Sequence, residues 1–449
     1  MTQIEAKSDK VYPEKRYGLL SDLITGGTGG AGGAPRPQAK RGRSATAQRH
    51  PATNGIDIDI APRAQGNALG IYAKYKNTAS KIDLETGEIL GFVDTMAARV
   101  QRYVLQSVAR KFLPQSRLDK CLRIRNKNQD IQVWKSKEHQ TAHYCGLQTC
   151  GSVWVCPVCS AKIAERRRQE LIEAMDSHKA AGGFVNLLTL TCPHQKGDDL
   201  GDLLSKQAKA LNGFWADRQV KAVMAEMGTI GQVRALEVTH GRLSLQNNGW
   251  HPHYHVLQFG GLLDGFVPLE WHRLIDLEDV LYQRWVNACK LAGLGEPSRA
   301  HGLKLDDGSK AAKYVSKWGL EDEMTKGHTK KALHGETPFD FLRAYLADKN
   351  DKQAAALFVE FAKTFRGKRQ LHWSKGLKNR YLVADTSDEL LAAETDDAAR
   401  YLGTITDDQW LDVNAQPVDC RGLVLKFAAS GGWDAVVAYL DSIKGDGND

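Results

Sequence analysis

The sequence predicts an α+β protein built on an antiparallel sheet of the split β-α-β, ferredoxin-like kind. Three observations carry that prediction. FVNLLTLT (184–191) is a near-continuous apolar run of strand length, as a central, doubly covered strand requires. QVRALEVTH (232–240) and WHPHYHVLQF (250–259) are two further strands, separated by LQNNGW, a turn rich in Asn and Gly. Helical patterns alternate with them: 199–226, then 269–293, where Leu274, Leu277, Leu281, Trp285 and Ala288 recur. AHGLKL (300–305) completes the order β-α-β-β-α-β, and SKAAKYVSKWG (309–319) follows as a helix.

The flanks are different in kind. Residues 1–66 carry GGTGGAGGA and a run of cations without an acid (Arg36, Lys40, Arg41, Arg43, Arg49), so a disordered Gly-rich, basic tail is expected. Residues 67–180 read as a helical and cysteine-bearing region, with a helix over 93–112, a short strand near 130–136, and a basic helix holding Lys162, Arg166, Arg167 and Arg168. The main domain, with the central sheet, is expected over 181–381. After 382 the composition turns acidic (Asp385, Asp388, Glu389, Asp396, Asp397), which reads as a small helical appendage over 382–449.

Composition bounds the function. The chain has 449 residues, enough for roughly three domains at about 150 residues each. Hydrophobic residues at 42% exclude global disorder. No uninterrupted apolar run reaches membrane-span length, and MTQIEAKSDK lacks a signal-peptide layout, so a cytoplasmic protein with no membrane partner is expected. A net charge of +8 leans towards acidic partners, of which nucleic acid is the commonest.

Four of the eight Cys fall in one stretch: Cys145, Cys150, Cys156 and Cys159, spaced C-x4-C-x5-C-x2-C. Four thiolates on a short loop suit tetrahedral Zn²⁺, and a closed four-ligand shell makes the zinc structural. His143 is a reserve ligand. Buried thiols are the plainer alternative. A redox pair fits less well, because C-P-V-C is not expected to open a helix here.

His251, His253 and His255 alternate along one strand and so share a face. Neighbours at i and i+2 lie about 6.6 Å apart, close enough for two imidazoles to converge on one ion, whereas i and i+4 are about twice that. His253 and His255 are therefore the expected ligands. Leu236 and Val238 read as a buried face, which turns Glu237 the other way. A hairpin would set Glu237 beside the histidines, adding the oxygen ligand that suits Mg²⁺ or Mn²⁺. Three histidines that are satisfied by other partners or face solvent are the bland alternative.

On the helix at 309–319, Ala311, Ala312, Val315 and Trp318 form an apolar face. Lys310, Lys313, Tyr314 and Lys317 share the other. A tyrosine among three lysines suits a phosphodiester; a surface Tyr flanked by lysines is the ordinary reading. Between 363 and 381, Lys363, Arg366, Lys368, Arg369, Lys375, Lys378 and Arg380 interleave with Phe365, Trp373 and Tyr381. Such a mixture makes either a DNA track or a solvated basic face.

FVNLLTLT, HPHYHVLQF and KYVSKW, in that order, resemble the three motifs of rolling-circle replication initiators of small bacterial plasmids, which are endonucleases of the HUH (His-hydrophobe-His) superfamily. HYCGLQTCGSVWVCPVCSAKIAERR resembles the segment preceding those motifs, and RGKRQLHWSKGL the one following, so the resemblance covers roughly 140–380. It implies an HUH fold with helices on one face of the sheet, and a metal-dependent, site-specific DNA nickase and strand transferase. Tyr314 would attack a phosphodiester, leaving a 5′-phosphotyrosine and a free 3′-OH primer, with later strand joining. Lys310 and Lys317 would assist the phenolate, and His253, His255 and Glu237 would hold the catalytic metal. Lys313, Arg366, Lys368, Arg369, Trp373 and Lys375 would bind origin DNA, double- and single-stranded. Host helicase and polymerase are the implied partners, and a homo-oligomer is compatible. One position departs from the pattern: Lys310 stands where single-tyrosine relatives carry a Glu for the terminating step, so either Asp306 or Asp307 substitutes from the strand end or another route ends the cycle. No G-x-x-x-x-G-K-[ST] helicase motif occurs. The same chemistry in a single-tyrosine transposase or mobilisation relaxase, and a non-catalytic zinc-dependent DNA-binding regulator, remain the competing readings.

Overall fold

The computed structural model describes residues 79–82, 89–93, 95–137, 141–244, 247–261, 271–307, 335–394 and 398–444. The tail 1–66 and the expected helix 309–319, with Lys310, Lys313, Tyr314 and Lys317, lie outside the described residues.

A hairpin of β1 (Ala79–Ile82) and β2 (Ile89–Val93) leads into helix α1 (Thr95–Phe112) and the short α2 (Arg117–Lys120). Strands β3 (Ile131–Ser136) and β4 (Ala142–Cys145) follow, then the long α3 (Pro157–Ala180). Cys156 is the N-cap of α3, its sulfur accepting from the Cys159 amide, and Pro157 occupies the first turn. C-P-V-C therefore does open a helix, contrary to expectation, because the fixed φ of Pro is pre-organised for the first helical position.

The central sheet comes next. Strand β5 (Phe184–Thr191) precedes α4 (Leu200–Ala216) and α5 (Arg218–Glu226). The helix expected over 199–226 is thus two. Asp217 breaks it, since its carboxylate accepts from the Gln219 and Val220 amides and starts α5 afresh. Strands β6 (Thr229–His240) and β7 (Trp250–Gly260), helix α6 (Trp271–Leu291) and strand β8 (Leu303–Asp307) complete the set. Beyond it come α7 (Pro338–Ala347), α8 (Lys352–Thr364), the edge strand β9 (Leu371–Trp373) and α9 (Leu377–Arg380).

The sheet runs β8-β5-β7-β6-β9, every neighbouring pair antiparallel. Its first four strands have the order 4-1-3-2 of a split β-α-β unit. Leu188, Leu190 and Val256 face a core shared with Phe214 of α4 and Trp285 of α6. Val185, Leu187, Leu257 and Phe259 pack the other way, against Leu171, Ala174 and Met175 of α3. Helices therefore cover both faces, and not one face alone. The half of the second face left uncovered by α3 carries the histidines.

The C-terminal segment is not a detached helical appendage. After α10 (Asp388–Ala393), strand β10 (Ala399–Ile405) pairs with β3, giving a second sheet in the order β10-β3-β4. Helix α11 (Asp407–Ala415) and helix α12 (Arg421–Ser442) close over it. By length and composition α12 could cross a bilayer, with a mean hydropathy of 1.3. Here its Val424, Ala428, Val436 and Leu440 are buried in the same core as Tyr103 and Leu105 of α1 and Val133 of β3. Two acids of this segment dock it: Asp388 and Glu394 bind Arg167 and Arg166 of the basic helix α3.

Candidate functional site

Glu237, His253 and His255 converge on the half of that sheet face which, among the described residues, α3 leaves uncovered. The β6–β7 register sets Glu237 directly opposite His253 and Ala235 opposite His255, and opposed residues share a face. Glu237 Oε2 lies 3.2 Å from Nε2 of both His253 and His255. Partial burial works against ionising this carboxyl, but the charge of His253 and hydrogen bonds from both rings outweigh it and hold Glu237 well below the usual carboxylate range. His255 is buried, whereas the Glu237 side chain keeps 39% of its surface exposed, so the cluster is open on the carboxylate side. Two imidazole nitrogens and a carboxylate oxygen make a donor set suited to a divalent cation with positions left for substrate. Thr189, opposite His255 on β5, places its hydroxyl 3.1 Å from His255 Nδ1. It thereby turns Nε2 towards the cluster, a supporting role metal-binding histidines commonly need.

His251 is held apart from these. Its Nδ1 lies 2.7 Å from Nε2 of His194, whose own Nδ1 lies 3.0 Å from the Asn248 carbonyl. A carbonyl only accepts, so His194 donates there from Nδ1. With both rings neutral, His251 then donates to His194 and keeps its Nε2 lone pair. Burial, then His253 and His194, push the His251 ring down to about 3, so it is neutral near pH 7. His194, Thr189 and Lys304 were not singled out from the sequence. Lys304 pairs with Thr189, which pairs with His255, so one row across the sheet carries Lys304, Thr189 and His255. Of the two aspartates considered as stand-ins for the missing Glu, Asp306 pairs with Leu187 and so shares the histidine face; Asp307 pairs with Asn186 and takes the other.

The second cluster differs from the expected set by one residue. Cys121, Cys150, Cys156 and Cys159 gather, all buried, and Cys145 does not join them. Alternation along β4 explains this: Tyr144 points into the core, so Cys145 points away. His143 also lies outside the cluster. Sulfur separations of 3.9 Å (Cys121–Cys156), 3.5 Å (Cys121–Cys159) and 3.7 Å (Cys150–Cys159) match the roughly 3.8 Å that tetrahedral Zn–S bonds of about 2.3 Å require. Gln106 Nε2 and the amides of Cys150 and Cys159 donate to these sulfurs, as they would to thiolates. Burial raises the Cys156 thiol, but hydrogen bonds from Cys121, Cys150 and Cys159 overcome it and hold Cys156 well below the ordinary value. Hydrogen bonds to Cys150, Cys156 and Cys159, then burial, push Cys121 the other way. Four buried sulfurs at these separations make a donor set that fits zinc.

Cys121 is positioned from the far end of the chain. Arg421, fully buried at the start of α12, donates to the carbonyls of Leu122 (2.9 Å) and Cys121 (3.3 Å). Asp419 neutralises Arg421 and also binds Arg123 at 3.1 Å.

The basic segment after α8 divides. Arg366, Lys368, Arg369 and Lys375 are exposed and form no ion pair among the described residues. Phe365 is buried, its ring 4.6 Å from Trp154, so it is not free to stack on a base. Trp373 is half-buried against the α3-side core, with Lys378 Nζ 5.9 Å from its ring centre. Tyr381 packs on Phe259 and hydrogen-bonds with His178 Nδ1 at 2.6 Å. The aromatics of this segment therefore serve packing first. Period alone could not reveal that.

Residues 142–260 match the family model described as replication protein. That span runs from β4 to the end of β7 and includes both strands that carry Glu237, His253 and His255. The chain is 27% identical over 349 residues to Protein rep of Streptomyces lividans, covering 62% of this chain and 75% of that protein. It is 34% identical over 145 residues to the neomycin resistance protein of Streptomyces cyanogenus, covering 27% of this chain and 32% of that one. No solved structure matches. The likeness to plasmid replication initiators drawn from the sequence motifs is thereby borne out.

Proposed function

We propose that this protein initiates rolling-circle replication of a plasmid by nicking one strand at the origin, as an HUH-type endonuclease. The observation that carries the reading is the convergence of Glu237, His253 and His255 on the open half of a 4-1-3-2 sheet, within the stretch that matches replication proteins. Those three residues would hold Mg²⁺ or Mn²⁺. Bound there, the cation supplies Lewis-acid polarisation of a scissile phosphate. The protein's own part is orientation. Thr189 fixes the His255 ring, and the His194–His251 pair braces the strand end beside His253. Tyr314 is the nucleophile in this reading. Its phenolate oxygen forms a bond to phosphorus as the bond to the 3′ oxygen breaks; the phenol's proton is lost to solvent and the leaving oxygen takes one up as the free 3′-OH. Lys310 and Lys317 favour the phenolate, whose ordinary pKa is about 10. Zinc on Cys121, Cys150, Cys156 and Cys159 is structural.

The test is incubation with single-stranded origin DNA and Mn²⁺, followed by peptide mapping of any covalent adduct. A nucleotide remnant on Tyr314, absent in Tyr314→Phe, is expected. A clean nick without a remnant would mean that water attacks and the protein is a simple metal nuclease. Origin binding that survives loss of Tyr314, His253 and His255, with no nicking by the parent, would favour a non-catalytic regulator.

A further inference from the structure

A groove of about 1290 Å³ runs between the cysteine loop and the basic segment before β9. That exceeds the roughly 300–1,000 Å³ of a small-molecule pocket, so it has room for a segment of a polymer. Gly151 to Val155, the loop between Cys150 and Cys156, lines it together with Lys363, Arg366, Lys368 and Arg369. Acidic residues line it too, but each is already matched. Asp385 binds Lys378 at 3.0 Å, Asp388 binds Arg167 at 3.0 Å and Glu389 binds Arg117 at 2.8 Å. The four cations of the basic wall are exposed and form no ion pair among the described residues. The groove is therefore positive despite the acids in it.

Two further observations connect it to the metal cluster and to the cysteines. The basic segment runs straight into β9, and Leu371 pairs with Ala235, which pairs with His255. The groove lining at Leu371 thus lies two strands, or about 10 Å, from His255. The cysteine loop touches both walls. Trp154 donates its indole N–H to the Lys368 carbonyl at 2.7 Å and packs its ring on Phe365. At Gly151, with φ +61°, a Cβ would come within 2.9 Å of the Glu389 backbone, so the loop is pressed against the acidic wall.

We propose that this groove holds single-stranded DNA flanking the nicked phosphate, and that the four-cysteine loop is its floor, keeping the basic wall in place through Trp154. This rests on the nicking reading for what lies at the groove's end, but binding in the groove is measured without chemistry. Cations strung along one wall match a single phosphate backbone and not the two of a duplex.

The test uses the full chain and a fluorescent single-stranded oligonucleotide, with no divalent ion added, across a salt series. The triple variant Arg366→Ala, Lys368→Ala, Arg369→Ala should bind at least about tenfold more weakly. Its log–log salt slope should fall by about 2, since each phosphate neutralised on a single strand contributes about 0.7. A control removing the exposed cations Lys179, Lys209 and Lys426, which lie outside the groove, should change neither. Unchanged affinity and slope in the groove variant overturn the proposal, as do equal losses in the control. Photo-crosslinking of an iodouracil oligonucleotide to the unaltered chain supplies a reading independent of folding: adducts within 151–154 or 366–372 are expected, and adducts confined elsewhere overturn the groove. If the parent forms no covalent adduct yet passes these tests, the nicking reading falls and the groove stands; a parent that nicks while the groove variant binds normally gives the reverse.

Discussion

The two side-chain clusters of this chain contrast in enclosure. The four sulfurs are buried on every side and are tied together by loops distant in sequence, from Cys121 to the Arg421 that grips its carbonyl. The Glu237–His253–His255 cluster sits on one hairpin, with the Glu237 side chain more than a third exposed. A closed shell has no room for substrate and can act only through stability; an open one can bind a phosphate and needs little of the fold's free energy. The difference teaches which cluster to expect in the folding transition and which in the rate.

The largest effect should come from breaking the closed cluster. Cys121→Ser or Cys156→Ser should lose the single zinc that metal analysis of the parent should find, and unfold the chain at ordinary temperature, since structural zinc sites contribute on the order of 10 kcal/mol. Cys145→Ser should retain zinc. Loss of zinc in Cys145→Ser with retention in Cys121→Ser would reverse the assignment.

Next is Asp419→Asn, which leaves Arg421 buried without its counter-ion and should cost about 3–5 kcal/mol by chemical denaturation. Burial raises the Asp419 carboxyl, but Arg421, Ser107 and Arg123 outweigh it and keep it below its ordinary value. Its folded pKa being depressed, the unfolded chain binds the proton more tightly. The stabilisation is complete above the unfolded carboxylate value, near 4, and is lost as pH falls through the folded value. The parent should therefore lose stability below about pH 4 in a way that Asp419→Asn does not share.

At the open cluster, His253→Ala and His255→Ala should each abolish nicking, a loss of at least about 100-fold, while thermal stability and DNA affinity change little. His251→Ala should slow nicking less, because its ring is bound to His194. If it proved the most damaging of the three, the ligand set would have to be redrawn. The smallest effect should be that of Thr189→Val, which removes the hydroxyl facing His255 Nδ1 and keeps the shape. About a tenfold fall in metal affinity or rate is expected, read from a Mn²⁺ titration of activity. A melting temperature that moved as much as the activity would mark Thr189 as merely structural.

The sequence by itself determined the local facts. Alternation in WHPHYHVLQF put three histidines on one face, apolar periodicity gave the strands and helices of the central sheet in order, and C-P-V-C marked half of the sulfur cluster. Each of these follows from spacing along a single element or across one hairpin, where backbone geometry dictates what meets. Only the tertiary structure decided the rest. Cys121 displaced Cys145 because a strand's alternation turned one sulfur out, while a helix end 29 residues before Cys150 brought another in. The acidic segment after 382 docked on the basic helix and gave β3 a partner, and Phe365, Trp373 and Tyr381 went to packing. His194 reached His251 through a loop after β5. These pairings join residues far apart in the chain; their partners are chosen by how surfaces bury against one another, which no spacing within one segment encodes.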